Sequence, residues 1–198
     1  MRKKYDFTVQ TLGECKIPSP VQLSRNDTDN IANYVKDDEH ILYDIDIDLD
    51  DTVRNKEYGI IQKAGPREKI YFNPRHVHAG VLTCGGLCPG LNDVIRALVR
   101  ALWNRYGVRR ITGIRWGYNG FLGGFEGDPL IELTPDVVDD IHRFGGSFLG
   151  SSRGGGEKTV EIVDAIERMN LNMVFVIGGD GTQLSLIHIS EPTRQRQP

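Results

Sequence analysis

The 198 residues carry 24 Lys and Arg against 27 Asp and Glu, a formal charge of -3, with 39% hydrophobic and 26% charged residues. That balance fits a folded globular chain of one or two domains, excludes a fully disordered or membrane-embedded one, and offers no basic field for nucleic acid or an anionic membrane. The basic start Met1-Arg2-Lys3-Lys4 lacks an apolar run after it, so no secretory signal is expected, and three cysteines (Cys15, Cys84, Cys88) suit a reducing cytoplasm better than a disulfide framework.

Residues 1–75 read as an N-terminal extension with some strands. Eight acidic side chains fall between residues 37 and 51. Tyr43 to Asp50 alternates Asp44, Asp46, Asp48 and Asp50 with Ile45, Ile47 and Leu49, which puts carboxylates on one face of a strand and aliphatics on the other. A calcium loop starting at Asp44 would need Gly and Glu where Leu49 and Asn55 stand, so a half-buried strand is expected instead. Ala64 to Phe72 reads as a turn feeding a short strand, broken by Asn73-Pro74.

Residues 76–183 read as an α/β domain with a parallel sheet. Val77–Thr83 and Met173–Ile177 are short apolar runs suited to buried parallel strands, with Ile111–Ile114 between them. Leu91, Val94, Ile95, Leu98, Val99 and Leu102 recur at helical spacing on one face. Thr134-Pro135-Asp136 predicts a second helix, with Thr as its cap and Pro in its first turn. Val160, Ile162, Val163, Ile166 and Met169 predict a third. Strands alternating with helices imply a Rossmann-like three-layer arrangement.

Twenty of the 23 glycines lie between Gly80 and Gly181. Two glycine loops, Cys84 to Gly90 and Gly178 to Thr182, follow predicted strands. Ligands in open α/β sheets bind beyond the carboxyl ends of strands, and helix N-termini there favour phosphate. A third loop, Gly150 to Gly156, adds Arg153, whose planar guanidinium can grip phosphate oxygens. Asp180 is the single carboxylate of the last loop and suits Mg²⁺ brought by a phosphate ligand. Neither the Walker loop nor the Gly-x-Gly-x-x-Gly fingerprint is present. Cys84 and Cys88 have no second Cys or His pair near them to complete a zinc set; loop or buried thiols are expected.

Three segments together carry a resemblance: Gly80-Val81-Leu82-Thr83-Cys84-Gly85-Gly86-Leu87-Cys88-Pro89-Gly90-Leu91-Asn92, Gly145 to Gly155, and Val176-Ile177-Gly178-Gly179-Asp180-Gly181-Thr182-Gln183. In that order they resemble 6-phosphofructokinases, in the plant-type branch also found in some bacteria. The resemblance covers residues 50–183. It implies ATP contacts at Gly85, Gly86, Arg153, Gly154, Gly179, Asp180, Gly181 and Thr182, with Asp180 associated with Mg²⁺. It implies γ-phosphoryl transfer from ATP to the 1-hydroxyl of fructose 6-phosphate, a chemistry of positioning and charge neutralisation, in a cytoplasmic homo-oligomer of glycolysis. Gly181 stands where pyrophosphate-using relatives carry Asp, which favours ATP.

The resemblance stops at Gln183. Leu184 to Pro198 resembles a sequencing adapter translated in frame, and Pro192 is expected to break a helix there. Three regions are therefore expected: 1–75, 76–183 and a non-native tail, 184–198. The family's general base belongs to a Thr-Ile-Asp-Asn-Asp-like segment that this sequence does not contain, so no catalytic residue is assigned. A truncated fold, inactive alone and with an unpaired sheet edge, is expected. Alternatives stay open: a pyrophosphate-dependent phosphofructokinase, a non-catalytic nucleotide-binding module, or an NAD or diacylglycerol-type kinase sharing Gly-Gly-Asp-Gly-Thr. The last lack the two upstream loops.

Overall fold

The computed structural model describes residues 7–26, 28–43, 59–123 and 127–195, with side chains as far as Ser190. The chain divides into two compact units, Met1–Asn73 and Pro74–Pro198.

Among the described residues the first unit holds four short strands: β1 (Ile17–Pro18), β2 (His40–Leu42), β3 (Ile60–Gln62) and β4 (Lys69–Ile70). They form two antiparallel pairs, β1 with β4 and β2 with β3. The strand expected after Ala64-Gly65-Pro66 is β4. The alternating acidic segment Asp44 to Asp50 lies outside the described residues, as does Asn55.

The second unit is built on a sheet of β5 (His78–Thr83), β6 (Arg110–Ile114), β7 (Leu130–Glu132) and β8 (Met173–Ile177), in the order β7-β6-β5-β8. β5 is parallel to both β6 and β8, and every one of its residues is buried, as its apolar run predicts. β7 was not expected, and it runs antiparallel to β6. The sheet is therefore mixed rather than wholly parallel. β8 differs from its expectation too: all five residues are half-buried. Only β5 flanks it among the described residues, so it forms an edge.

Among the described residues four α-helices alternate with these strands: α1 (Leu91–Arg100), α2 (Asn119–Leu122), α3 (Thr159–Arg168) and α4 (Asp180–Gln195). α1 buries Leu91, Asn92, Ile95 and Val99. Val94, expected on that face, is exposed, and the polar Asn92 takes an inward place. The helix winds on as a π-helix over Ala101–Tyr106 and stops at Gly107 in the left-handed region. α3 buries Ile162, Val163 and Ala165, while Val160 faces outward. α2 interrupts what was expected to be a loop from Gly117 to Gly127.

The second predicted helix does not form. Thr134 does cap one turn, its Oγ accepting the Val137 N–H at 3.3 Å. The turn then tightens into a 3-10 segment, Ile141–Arg143. Arg96 Nε donates to the Asp139 carbonyl at 2.9 Å, and Arg100 pairs with the Asp139 carboxylate. Arg96 thus takes the Asp139 carbonyl, a group that a continuing α-helix would have used.

α2, α3 and α4 pack on one sheet face around Leu82, Ile114, Tyr118, Phe121, Ile162 and Ile189. α4 continues past Pro192, contrary to the expected break. A proline there removes one backbone donor from the helix. Thr182 and Ile189 of α4 are buried, yet Leu184 and Ile187 are exposed.

Candidate nucleotide site

The carboxyl ends of β5, β6 and β8 open on the same side of the sheet, because the three strands are parallel. The loop 145–158 is drawn onto those ends by buried polar groups. Thr83 Oγ, at the end of β5, hydrogen-bonds Ser147 Oγ at 2.7 Å and the Gly150 carbonyl at 2.7 Å. Asn92 accepts the Phe148 N–H at 2.7 Å and donates to the Phe144 carbonyl at 3.0 Å. Buried polar side chains persist when they are satisfied this way.

The result is a cavity of about 390 Å³ lined by glycine loops. Of the expected site residues, it gathers Gly85, Gly86, Arg153, Gly154, Gly179, Asp180, Gly181 and Thr182. They come from the ends of β5 and β8, the start of α4 and the loop after Gly150.

Their backbone roles differ. The Gly85 N–H donates to the Ser152 carbonyl at 3.0 Å, and Ser151 Oγ donates to the Gly85 carbonyl at 2.7 Å. Gly85 thus joins two loops and spends its N–H inside the protein. Gly86, Gly154, Gly179 and Gly181 have open space where a side chain would stand. At Gly178 the reverse holds: a Cβ would lie 2.6 Å from Thr182 Cβ.

The cavity also contains Cys84, Tyr118, Ser152 and Ser185, which were not expected as site residues. Tyr118 sits in the glycine-rich stretch after β6 and donates to the Thr182 carbonyl at 2.9 Å. Burial pushes its hydroxyl well above the ordinary tyrosine range, with the nearby Cys84 adding to the effect. Burial likewise pushes the Cys84 thiol up to about 11. Ser185 belongs to the segment that resembles an adapter, and its hydroxyl donates to the Gly181 carbonyl at 3.1 Å. Cys88 and Cys15 are exposed.

Asp180 is the single carboxylate in the lining, and no group of three or more His, Cys, Asp or Glu able to hold a metal occurs among the described residues. One carboxylate suits Mg²⁺ delivered on phosphate oxygens rather than a protein cage.

A profile of the family described as Phosphofructokinase matches residues 78–195. The chain belongs to the phosphofructokinase family. It is 51% identical over 191 residues to an ATP-dependent 6-phosphofructokinase of Borreliella burgdorferi, covering 96% of this chain and 42% of that relative. It is 40% identical over 193 residues to the Amycolatopsis methanolica enzyme of the same description, covering 96% and 41%. An Arabidopsis thaliana relative, ATP-dependent 6-phosphofructokinase 7, is 50% identical over 136 residues, covering 69% and 27%. The chain thus spans about two-fifths of its bacterial relatives' length.

Among solved structures, Pichia pastoris phosphofructokinase in the T-state superposes with a TM-score of 0.53 at 24% identity, covering 68% of this chain and 15% of that one. A pyrophosphate-dependent phosphofructokinase from Nitrosospira multiformis gives 0.51 at 17% identity, covering 60% and 30%. Both likenesses concern the fold of this phosphofructokinase-family chain. No described helix is long and apolar enough to cross a membrane.

Proposed function

We propose that the cavity binds the phosphate chain of ATP and that the chain forms part of an ATP-dependent 6-phosphofructokinase, which phosphorylates fructose 6-phosphate in the cytoplasm. The observation that carries this reading is the convergence of Gly86, Arg153, Gly154 and the Gly179–Thr182 turn on one cavity with open space at four of its glycines. Open backbone lets phosphate oxygens approach N–H groups closely. Arg153 would neutralise phosphate charge, and Asp180 would hold Mg²⁺, which supplies charge neutralisation between phosphate oxygens when bound. Gly181 supports ATP over pyrophosphate, because its open side leaves room along the phosphate chain. The relatives described as ATP-dependent support the same donor.

The described lining lacks a group to accept a proton from a sugar hydroxyl. Asp180 is committed to metal in this reading, and Cys84 and Tyr118 stay protonated at neutral pH. Residues 1–198 alone are therefore expected to bind nucleotide without turning over fructose 6-phosphate, and residues 184–198 to contribute nothing specific to the chemistry.

Equilibrium titration of the 198-residue chain with MgATP and with Mg-pyrophosphate tests the reading. ATP binding at least about tenfold tighter supports it. Tighter pyrophosphate binding would favour the pyrophosphate-dependent alternative, and binding of neither would contradict a phosphate site.

A further inference from the structure

We infer that Asn119 is a positioning residue for this cavity and acts on Arg153 through Ser152. The inference rests on the proposed nucleotide site and assigns it a residue that lies outside the cavity lining.

The Arg153 guanidinium makes no hydrogen bond or ion pair with any described residue. Its place over the cavity is therefore set by the backbone that carries it. Asn119 touches the residues on both sides of the Arg153-Gly154 turn. On the near side, Asn119 Nδ2 donates to Ser152 Oγ at 2.9 Å. On the far side, Gly155 lies against Asn119, so closely that a Cβ there would overlap the side-chain oxygen and lie 3.0 Å from Cγ. The Arg153-Gly154 turn is thus bracketed by one side chain.

Ser152 passes the constraint on. Its hydroxyl donates to the Trp116 carbonyl, so the oxygen's remaining capacity is as an acceptor, and an amide N–H fits it. Its carbonyl accepts the Gly85 N–H at 3.0 Å. Ser152 is thereby fixed to the end of β6, to the end of β5 and to Asn119. Losing the Asn119 amide removes one of the three ties on Ser152 and the contact at Gly155, and so loosens the turn while leaving every residue of the lining intact. A hydrogen bond from Arg to phosphate has strict geometry, so a loosened turn loses part of it.

The test is a double-mutant cycle on the full 198-residue chain, with MgATP affinity as the readout and the melting curve without nucleotide as the control for folding. Asn119→Ala is expected to weaken MgATP binding about tenfold, since part of a charged hydrogen bond is forfeited. Asn119→Asp keeps the shape, faces Ser152 Oγ with an acceptor, and is expected to weaken binding at least as much. In the Arg153→Ala background, Asn119→Ala is expected to change affinity by less than about twofold, since the group it serves is gone. A purely structural Asn119 would give factors that multiply in the double variant. Multiplying factors, or both Asn119 variants binding MgATP within twofold of the unsubstituted chain, would overturn the inference and leave the nucleotide site standing. No MgATP binding by the unsubstituted chain would overturn the proposed function, and this inference with it.

Discussion

The Tyr118 hydroxyl donates to the backbone carbonyl of Thr182 at 2.9 Å, joining segments 64 residues apart. Through this bond the stretch after β6 holds the first turn of α4, where Asp180 and Gly181 meet the cavity. Both partners are buried, so neither has water as a ready substitute. Tyr118→Phe removes the donor and keeps the ring. It is expected to cost about 1–3 kcal/mol, the range for leaving a buried acceptor unmet. A urea unfolding curve checks it; an unchanged midpoint would show that the bond contributes nothing.

Gly178 and Gly179 are adjacent, yet they should respond differently to substitution. A Cβ at Gly178 meets the Thr182 side chain, whereas at Gly179 it meets nothing within 4 Å. Gly178→Ala is expected to destabilise by about 1–3 kcal/mol through overpacking. Gly179→Ala should leave the melting temperature nearly unchanged. Equal effects in thermal melts would contradict the packing described.

His78 predicts a pH dependence. It is buried at the start of β5, with Nδ1 against the Met169 carbonyl at 3.1 Å and Nε2 against Thr112 Oγ at 2.8 Å. Burial first, then the charge of Arg110, holds its pKa below the ordinary 6.5. The unfolded chain then binds more protons than the folded one in the window between the folded value and 6.5. Stability from this group is present above 6.5 and is lost as pH falls through that window. Melting temperatures followed downward from pH 7.5 should drop, and His78→Gln should flatten the drop. An equally steep drop in the variant would assign the effect elsewhere.

The cysteines should sort by reactivity. Cys15 and Cys88 are exposed, while Cys84 is buried with its thiol pushed up to about 11. The thiolate is the reactive form, so Cys84 carries little of it at neutral pH. Ellman's reagent at pH 7.5 should titrate two thiols quickly and the third only on unfolding. Three equally fast thiols would contradict the burial.

Much of this unit is written in local pattern. Val77–Thr83 is apolar throughout because β5 is central, and that uniform run announces a strand covered on both faces. The glycine loops are legible because glycine clusters at strand ends have few other uses. What was missed depends on contacts distant in sequence. Thr134-Pro135 carries a proper cap signal, but Arg96, some 40 residues upstream, takes the Asp139 carbonyl that a continuing helix would use. Val94 and Val160 fit helical periodicity, but an apolar residue at the margin of a face stays wet unless a neighbour covers it. Tyr118 and Ser152 entered the site through partners 64 and 33 to 67 residues away, a separation that spacing along the chain does not encode. Glycines stand within two residues on either side of both, and a polar residue among glycines beside a phosphate loop was the available signal.

The most direct test of the nucleotide site is an amide NMR titration of the chain with MgATP. Shifts are expected to concentrate at Gly86, Gly154 and Gly179–Thr182, with the Gly85 amide moving less because it is held by Ser152. The first unit has a second cavity, of about 550 Å³, lined by residues including Lys36, Glu39 and Lys63. Shifts confined to those residues, or no shifts at saturating MgATP, would contradict the claim that the glycine loops form the nucleotide site.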